Sequence, residues 1–108
     1  MSIETTLVLI RHGETEWNQT GRYQGHADSP LTSRGLAQAR AVAHALDGEK
    51  FDAFYSSDLG RAKRTASIIS DKVGHRYLTD ARLREQHYGL IQGHDRNQAR
   101  ELDPGFFE

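Results

Sequence analysis

Residues 7–13 have the sequence LVLIRHG, and this run sets the fold class more firmly than any other part of the chain. Four consecutive aliphatic residues, half of them β-branched and closed by a glycine, predict a buried strand that ends in a loop. Ligands of open α/β sheets bind beyond the carboxyl ends of the strands. Arg11 and His12 therefore predict a nucleophile or base beside an anion-binding group. The alternative is a histidine that only hydrogen-bonds to nearby backbone.

Two helices and two further strands are predicted downstream. Apolar spacing predicts one helix after the N-cap Thr32, and another that is capped within residues 56–58 and ends at Gly74. Strands are predicted at residues 51–57 and 75–79. The alternation of strands and helices is that of a parallel sheet with crossover helices, so the predicted fold class is α/β. The expected buried positions are Leu36, Ala39, Ala43 and Leu46 in the first helix and Leu59, Ala62, Ala66, Ile69 and Val73 in the second.

The connecting segments predict where ligands bind. Residues 17–30 are polar, are interrupted by glycine and proline, and lack a helical period, which predicts a long binding loop. Residues 83–93 look irregular, and a short helix capped by Asp95 is predicted for residues 95–102. Right-handed crossovers would bring the end of the first strand close to the start of the second long helix.

Composition narrows the function classes. The chain has 108 residues, enough for one domain over residues 1–108. Its net charge of −1 gives no field that would favour nucleic acid or an anionic membrane. Eleven arginines against three lysines suit bidentate capture of phosphate, although arginine is also a good helix former. Cysteine is absent, which excludes disulfides and thiolate chemistry. The N-terminus has neither the basic region nor the long apolar run of a signal peptide, so we expect a cytoplasmic protein.

Three separated segments together resemble one protein family. Residues 11–15 (RHGET), followed by Trp17 and Asn18, resemble the signature of the histidine phosphatase superfamily, the phosphoglycerate mutase-like proteins. Residues 56–62 (SSDLGRA) are similar to its second signature, and residues 83–89 (LREQHYG) resemble the segment that supplies its proton donor. The resemblance implies a three-layer α/β sandwich with a mainly parallel sheet. It also implies a phosphohistidine enzyme that uses neither a metal nor another cofactor.

The chemistry of phosphoryl transfer fits these residues. A neutral imidazole can attack phosphorus, so His12 is the candidate nucleophile and Arg11 the group that holds the phosphoryl oxygens. Arg61 is predicted in the first turn of a helix, where a cation opposes the macrodipole unless an anion is bound there. A solvated arginine is the alternative, and the resemblance favours the phosphate-binding role.

The resemblance assigns the remaining roles. Glu85 matches the proton donor, and a carboxyl group that faces a phosphate dianion is stabilised in its neutral form. Without the resemblance, Glu85 would be interpreted as a surface ion-pair partner. Asn18 matches a phosphate contact, and the expected substrate-binding residues are Thr15, Arg22, Tyr23 and Gly25. The other histidines lack the spacing of metal ligands, so no metal site is predicted.

The family pattern continues beyond this length. It includes a second catalytic histidine in a strand followed by His-Gly, and no such segment follows Gly93. We therefore expect a truncated member whose C-terminal portion is absent. The missing strand would border the first strand, so the open edge invites a homo-oligomer or a missing C-terminal segment that completes the sheet.

The expected activity is hydrolysis of a phosphate monoester, with a sugar phosphate or phosphoglycerate as substrate. A phosphoglycerate mutase is one alternative. An inactive module that binds phosphate without turnover is the other, and the missing second histidine favours it.

Overall fold

A computed structural model describes residues 3–107 of the chain. The helices are α1 (Glu16–Gln19), α2 (Ser33–Leu46), α3 (Gly60–Val73) and α4 (Arg96–Leu102). Two short strands, β1 (Tyr55–Ser56) and β2 (Leu78–Thr79), pair in parallel. Single 3₁₀ turns lie at Ala81–Leu83, Gly89–Ile91 and Pro104–Phe107.

Helix α2 confirms its predicted cap and buried face. The Oγ1 of Thr32 accepts a hydrogen bond from the backbone N–H of Gly35 at 3.0 Å, which satisfies one of the free donors of the first turn. Ala39 and Ala43 are buried, and Leu36 and Leu46 are half-buried. The small residues let α2 pack closely against α3.

Helix α3 ends as predicted but begins differently. Gly74 adopts the left-handed conformation with φ of 71°, which a glycine reaches without steric penalty. The predicted N-cap within residues 56–58 is wrong, because the N-cap is Leu59 and it makes no side-chain capping bond. The carboxylate of Asp28 instead accepts from the backbone N–H of Arg61 at 3.3 Å. A distant loop therefore supplies the acceptor at this helix N-terminus.

The core of α3 also differs in part from the prediction. Ala66 and Ile69 are buried as expected, and Leu59, Ala62 and Val73 are only half-buried. The polar residues Arg61 and Thr65 take the remaining buried positions of the helix. Their side chains are hydrogen-bonded, and no fully buried side-chain nitrogen or oxygen atom in residues 3–107 lacks a hydrogen-bond partner.

The β1–α3–β2 unit confirms the parallel crossover. Tyr55 pairs with Leu78 and Ser56 with Thr79. Both strands are shorter than the predicted residues 51–57 and 75–79. A β-strand extends only as far as a neighbouring strand forms backbone hydrogen bonds with it, and β1 and β2 pair at only two positions.

The predicted first strand is wrong for the structure described. Residues 7–10 form no strand, and Leu7 and Leu9 are 78% and 89% exposed. The pattern of four aliphatic residues predicts burial, but a strand also needs a neighbour that supplies hydrogen bonds and covers its faces. Within residues 3–107, no strand pairs with this segment.

The predicted binding loop, residues 17–30, has a short helix at its start. Helix α1 begins after Thr15, so the expectation of no helical structure is wrong for its first turn. The two ends of the loop are joined by backbone hydrogen bonds from Glu16 N to Pro30 O and from Thr32 N to Glu14 O. These bonds fix the loop beside α2 and α3.

None of the helices in residues 3–107 is long and apolar enough to cross a bilayer.

Candidate active site

A cleft of about 770 Å³ gathers most of the predicted site. Residues 8–12 form part of its lining, and the first turn of α3 and the segment around Glu85 complete it. Eight of the nine predicted site residues line this cleft: Arg11, His12, Asn18, Arg22, Tyr23, Gly25, Arg61 and Glu85.

His12 is held in a single tautomer. Its Nδ1 lies 2.7 Å from the carbonyl oxygen of Gly13, and because a carbonyl only accepts, Nδ1 must carry the hydrogen. The Nε2 of the neutral ring then keeps a lone pair. Burial lowers the pKa of His12, and the positive charges of Arg61 and Arg11 lower it further, whereas the bond to Gly13 opposes the shift. These effects favour the neutral imidazole that a nucleophile requires.

Helix α3 fixes the backbone next to His12. The N–H of Gly13 donates to Oγ1 of Thr65 at 3.1 Å, and Oγ1 of Thr65 donates to the carbonyl oxygen of Arg61 at 2.9 Å. Thr65 is 52 residues away from Gly13 in sequence, so this bond brings the histidine segment and α3 together. His12 and Arg61 are therefore placed by the same helix.

Arg61 is buried beneath the loop, with 3% of its surface exposed. Its Nη2 donates to the carbonyl oxygen of Gly25 at 2.6 Å, and its Nη1 donates to that of Ala27 at 2.8 Å. The same Nη1 also lies 3.2 Å from Oδ1 of Asp28. A guanidinium carries five N–H groups, so Nε and one hydrogen of Nη2 stay unused within residues 3–107. These groups can still donate to a bound anion.

Asp28 changes the interpretation of Arg61. The sequence argument required an anion to offset a cation at the start of a helix. The structure supplies that anion within the chain, since Asp28 contacts both the backbone and the side chain of Arg61. The position of Arg61 is therefore explained by loop anchoring, and its place in the cleft is the observation that supports phosphate binding.

Thr15 is the predicted site residue that the structure places outside the cleft. It is 0% exposed, and its Oγ1 donates to Oε1 of Gln24 and accepts from the backbone N–H of Asn18. Asn18 completes the capping box by accepting from Thr15 N at 3.0 Å. Because its Oδ1 is engaged, Asn18 has the amide Nδ2 to offer a phosphate. Thr15 therefore affects the site only indirectly, by holding the loop residues Asn18 and Gln24 in place.

Gln24 is a cleft residue that the sequence analysis missed. Its side chain is buried, and its Oε1 accepts from Thr15 and from Ser29, both at 2.9 Å. The side-chain NH₂ group is therefore the part of Gln24 that can donate to a ligand. No local signal marked this residue, because a glutamine in a polar loop is ordinary.

Glu85 lies in the cleft on an exposed segment. Its Oε1 accepts a hydrogen bond from the backbone N–H of Gln86 at 2.7 Å. The preceding residue, Arg84, forms two hydrogen bonds with Asp58 and so joins this segment to the loop before α3. The sequence analysis did not identify that pair.

Aromatic rings form the side of the cleft near Tyr23. The rings of Tyr23 and Tyr88 meet edge to face at 5.3 Å, and Phe106 contacts both. Burial and the nearby carboxylate of Glu85 raise the pKa of Tyr88, so its hydroxyl stays protonated and can donate. Arg22 donates from Nη1 to the carbonyl oxygen of Gly93 at 2.6 Å, which ties the loop to the residues before α4.

The charged groups that line the cleft are mostly basic. In the part of the chain that the structure describes, no three His, Asp or Glu side chains converge as metal ligands would. Four arginines line the cleft (Arg11, Arg22, Arg61 and Arg84), and their charge suits a phosphate dianion.

Comparison with known proteins identifies the family. The pattern of the histidine phosphatase superfamily (branch 1) matches residues 7–108. A Serratia proteamaculans protein named probable phosphoglycerate mutase GpmB is 49% identical over 84 residues, which are 78% of this chain and 39% of that protein. A protein of the same name from Photorhabdus laumondii is 48% identical over 84 residues. The chain spans about two-fifths of the length of these relatives.

Solved structures share the fold. Bacillus stearothermophilus YhfR superposes with a TM-score of 0.82 at 40% identity, over 87% of this chain and 46% of that one. A mycobacterial glucosyl-3-phosphoglycerate phosphatase, solved with VO3, gives a TM-score of 0.79 at 38% identity, over 87% of this chain and 47% of that one. These similarities confirm the predicted α/β, phosphoglycerate mutase-like fold. The chain belongs to the histidine phosphatase superfamily, branch 1.

Proposed function

We propose that this chain hydrolyses phosphate monoesters through a phosphohistidine at His12. The observation that carries the proposal is the state of His12. Its Nδ1–H bond to Gly13 leaves the Nε2 lone pair of the neutral ring available, and burial beside two arginines lowers the pKa of His12, which favours that neutral form. Arg11 and Arg61 line the same cleft and would hold the oxygens of the transferring group.

The reaction balances with groups of the chain and water. Nε2 of His12 attacks phosphorus as the bond to the leaving oxygen breaks, and Glu85 gives that oxygen its proton. The resulting carboxylate of Glu85 then takes a proton from water. The water oxygen attacks phosphorus, the bond to Nε2 breaks, and inorganic phosphate and the neutral imidazole are restored.

The proposed substrates are sugar phosphates or phosphoglycerate. The cleft offers arginines for anionic groups and the hydroxyls of Tyr23 and Tyr88 for polar groups of the alcohol. Among the structural relatives, the mycobacterial enzyme is named a glucosyl-3-phosphoglycerate phosphatase, which supports this substrate class.

A mutase is the second candidate, and the name of the Serratia relative favours it. In a mutase the phosphohistidine returns its phosphoryl group to the substrate alcohol. Product analysis separates the two reactions, because inorganic phosphate accumulates only with hydrolysis.

A phosphate-binding module without turnover is the third candidate. The chain spans 39% of its Serratia relative, and His12 is the histidine that lines the cleft within residues 3–107. Binding of inorganic phosphate without release from any ester would support this candidate.

The experiment is phosphate release from 4-nitrophenyl phosphate and from 3-phosphoglycerate by the 108-residue chain. His12→Ala is the test variant, and His44→Ala, on the exposed face of α2, is the matched control. We expect turnover that falls by roughly a thousandfold or more in His12→Ala and is unchanged in His44→Ala. Equal background rates in all three proteins would contradict catalysis by this chain.

A further inference from the structure

An ion pair between Arg84 and Asp58 joins the segment around Glu85 to the loop before α3. Arg84 donates from Nε to Oδ1 at 2.6 Å and from Nη2 to Oδ2 at 2.7 Å. Two parallel bonds between planar groups fix direction as well as distance. The side chains are 36% and 30% exposed, so solvent screening keeps the contribution of the pair to stability small. Its effect is therefore mainly on geometry.

The pair connects the two segments that carry the proposed acid and the phosphate-binding arginine. Arg84 directly precedes Glu85, and Asp58 lies three residues before Arg61. Residues 81–87 are all exposed, so packing against a core does little to fix the position of Glu85. The Arg84–Asp58 pair is therefore a directional polar contact that holds this segment against the loop before α3, in addition to the ring contact between His87 and His26.

A neighbouring pair shows what is particular to Arg84. Arg82 also forms a bidentate pair, from Nε to Oδ1 and from Nη2 to Oδ2 of Asp80, but Asp80 is only two residues away. The side chain of Arg82 is 89% exposed. That pair stays within one turn, whereas Arg84 and Asp58 are 26 residues apart. The same residue types in the same segment therefore make one local and one bridging contact.

We propose that Arg84 is a positioning residue whose bidentate pair with Asp58 holds Glu85 at the cleft in register with Arg61. This rests on the proposed function, because it assigns Arg84 to proton delivery by Glu85. The hydrogen bonds from Arg84 hold the pKa of the Asp58 carboxyl below its ordinary value of 3.8, so the pair remains charged at the pH of an assay.

The test compares two leaving groups. 4-Nitrophenolate departs without a proton, whereas the alkoxide of 3-phosphoglycerate needs one from the general acid. Arg84→Ala is expected to lower kcat for 3-phosphoglycerate by roughly ten- to a hundredfold, as misplacement of a catalytic group does. The rate of the first-turnover burst of 4-nitrophenolate should fall by less than about threefold, because phosphorylation of His12 by this ester needs no proton from Glu85. Arg82→Ala, the matched control, should change neither value.

Two further variants separate positioning from general damage. Arg84→Lys keeps the charge but loses the planar fork, so its kcat for 3-phosphoglycerate should fall between those of the wild type and Arg84→Ala. The exchange of both residues, Asp58→Arg with Arg84→Asp, should recover part of the activity that either single change removes. An equal loss in the burst rate of 4-nitrophenolate and in kcat for 3-phosphoglycerate, or an equal loss in Arg82→Ala, would overturn the proposal.

Hydrogen exchange keeps this proposal separate from the proposed function. If the wild-type chain shows no turnover that depends on His12, the proposed function fails. The positioning role of the Arg84–Asp58 pair is then tested by amide hydrogen exchange in residues 85–93. Exchange there should be faster in Arg84→Ala than in Arg82→Ala. Exchange that is equal in the two variants would overturn it.

Discussion

Gly13 and Gly35 lie backbone against backbone. A Cβ added to Gly13 would overlap the carbonyl group of Gly35, and one added to Gly35 would overlap the backbone of Glu14. Because Gly13 directly follows His12, this close approach sets the distance between the proposed nucleophile and α2.

Gly35→Ala should therefore push α2 away from the histidine segment. We expect the free energy of unfolding to fall by about 1–3 kcal/mol, as overpacking of a tight contact does. Urea denaturation measures the change. Gly105→Ala is the control, since its new methyl group would meet only Asp103 at an ordinary 3.7 Å. A loss no larger than that of the control would contradict the tight packing.

His12 should titrate below the ordinary histidine value of 6.5, because burial and two arginines oppose its charged form. The unfolded state then binds more protons in the interval between the two pKa values. The stability that the neutral ring contributes is present above pH 6.5 and is lost as the pH falls through this interval. An NMR titration of the imidazole, assigned with His12→Ala, should give a midpoint below 6.5. A midpoint at or above 6.5 would contradict the lowered pKa that burial and the two arginines produce.

Arg61→Ala should destabilise the protein as well as weaken anion binding. Its removal leaves the carbonyl oxygens of Gly25 and Ala27 without their donor, and the loss at the buried Gly25 costs about 1–3 kcal/mol. Arg64 lies three residues after Arg61 in α3 and is exposed. Arg64→Ala should therefore change the free energy of unfolding by no more than about 0.5 kcal/mol. Thermal unfolding with and without inorganic phosphate measures both effects. Equal stability of the two variants would contradict the anchoring role of Arg61.

The exposed N-terminal segment should make the chain self-associate. Leu7 and Leu9 are 78% and 89% exposed, and large apolar patches on soluble proteins mark interaction surfaces. Leu9→Lys should lower the apparent mass at high protein concentration, measured by light scattering, because a charge opposes strand pairing and apolar contact. Leu90→Lys, at another residue that is 73% exposed, is the control. A monomeric wild-type chain, or equal effects of both changes, would contradict this expectation.

The long helices were predictable because their signals are local. Thr32 accepts from a residue three positions later, and Gly74 ends α3 by its own backbone conformation. The first strand was not predictable on the same basis. Residues 7–10 have the composition of a buried strand, but pairing depends on a neighbour that their sequence does not contain.

In the site, too, the residues within motifs were predictable from the sequence, and the contacts between residues far apart in the chain were not. The family motifs marked His12 and Arg61, and the structure brings both into one cleft. The motifs did not indicate that Asp28 contacts Arg61, or that Asp58 contacts Arg84. These partners are 33 and 26 residues apart, and no spacing rule connects residues at such distances.

The account depends most on a covalent intermediate at His12, and trapping it is the direct test. Glu85→Gln should still accept a phosphoryl group from 4-nitrophenyl phosphate, because that leaving group needs no proton, but should hydrolyse the intermediate slowly. Rapid quenching at alkaline pH, followed by mass spectrometry of the peptides, should find one phosphoryl group on His12 in this variant. The same experiment with the additional change His12→Ala should find none. A phosphoryl group on another residue, or none in Glu85→Gln while nitrophenolate is released at the wild-type rate, would contradict the phosphohistidine mechanism.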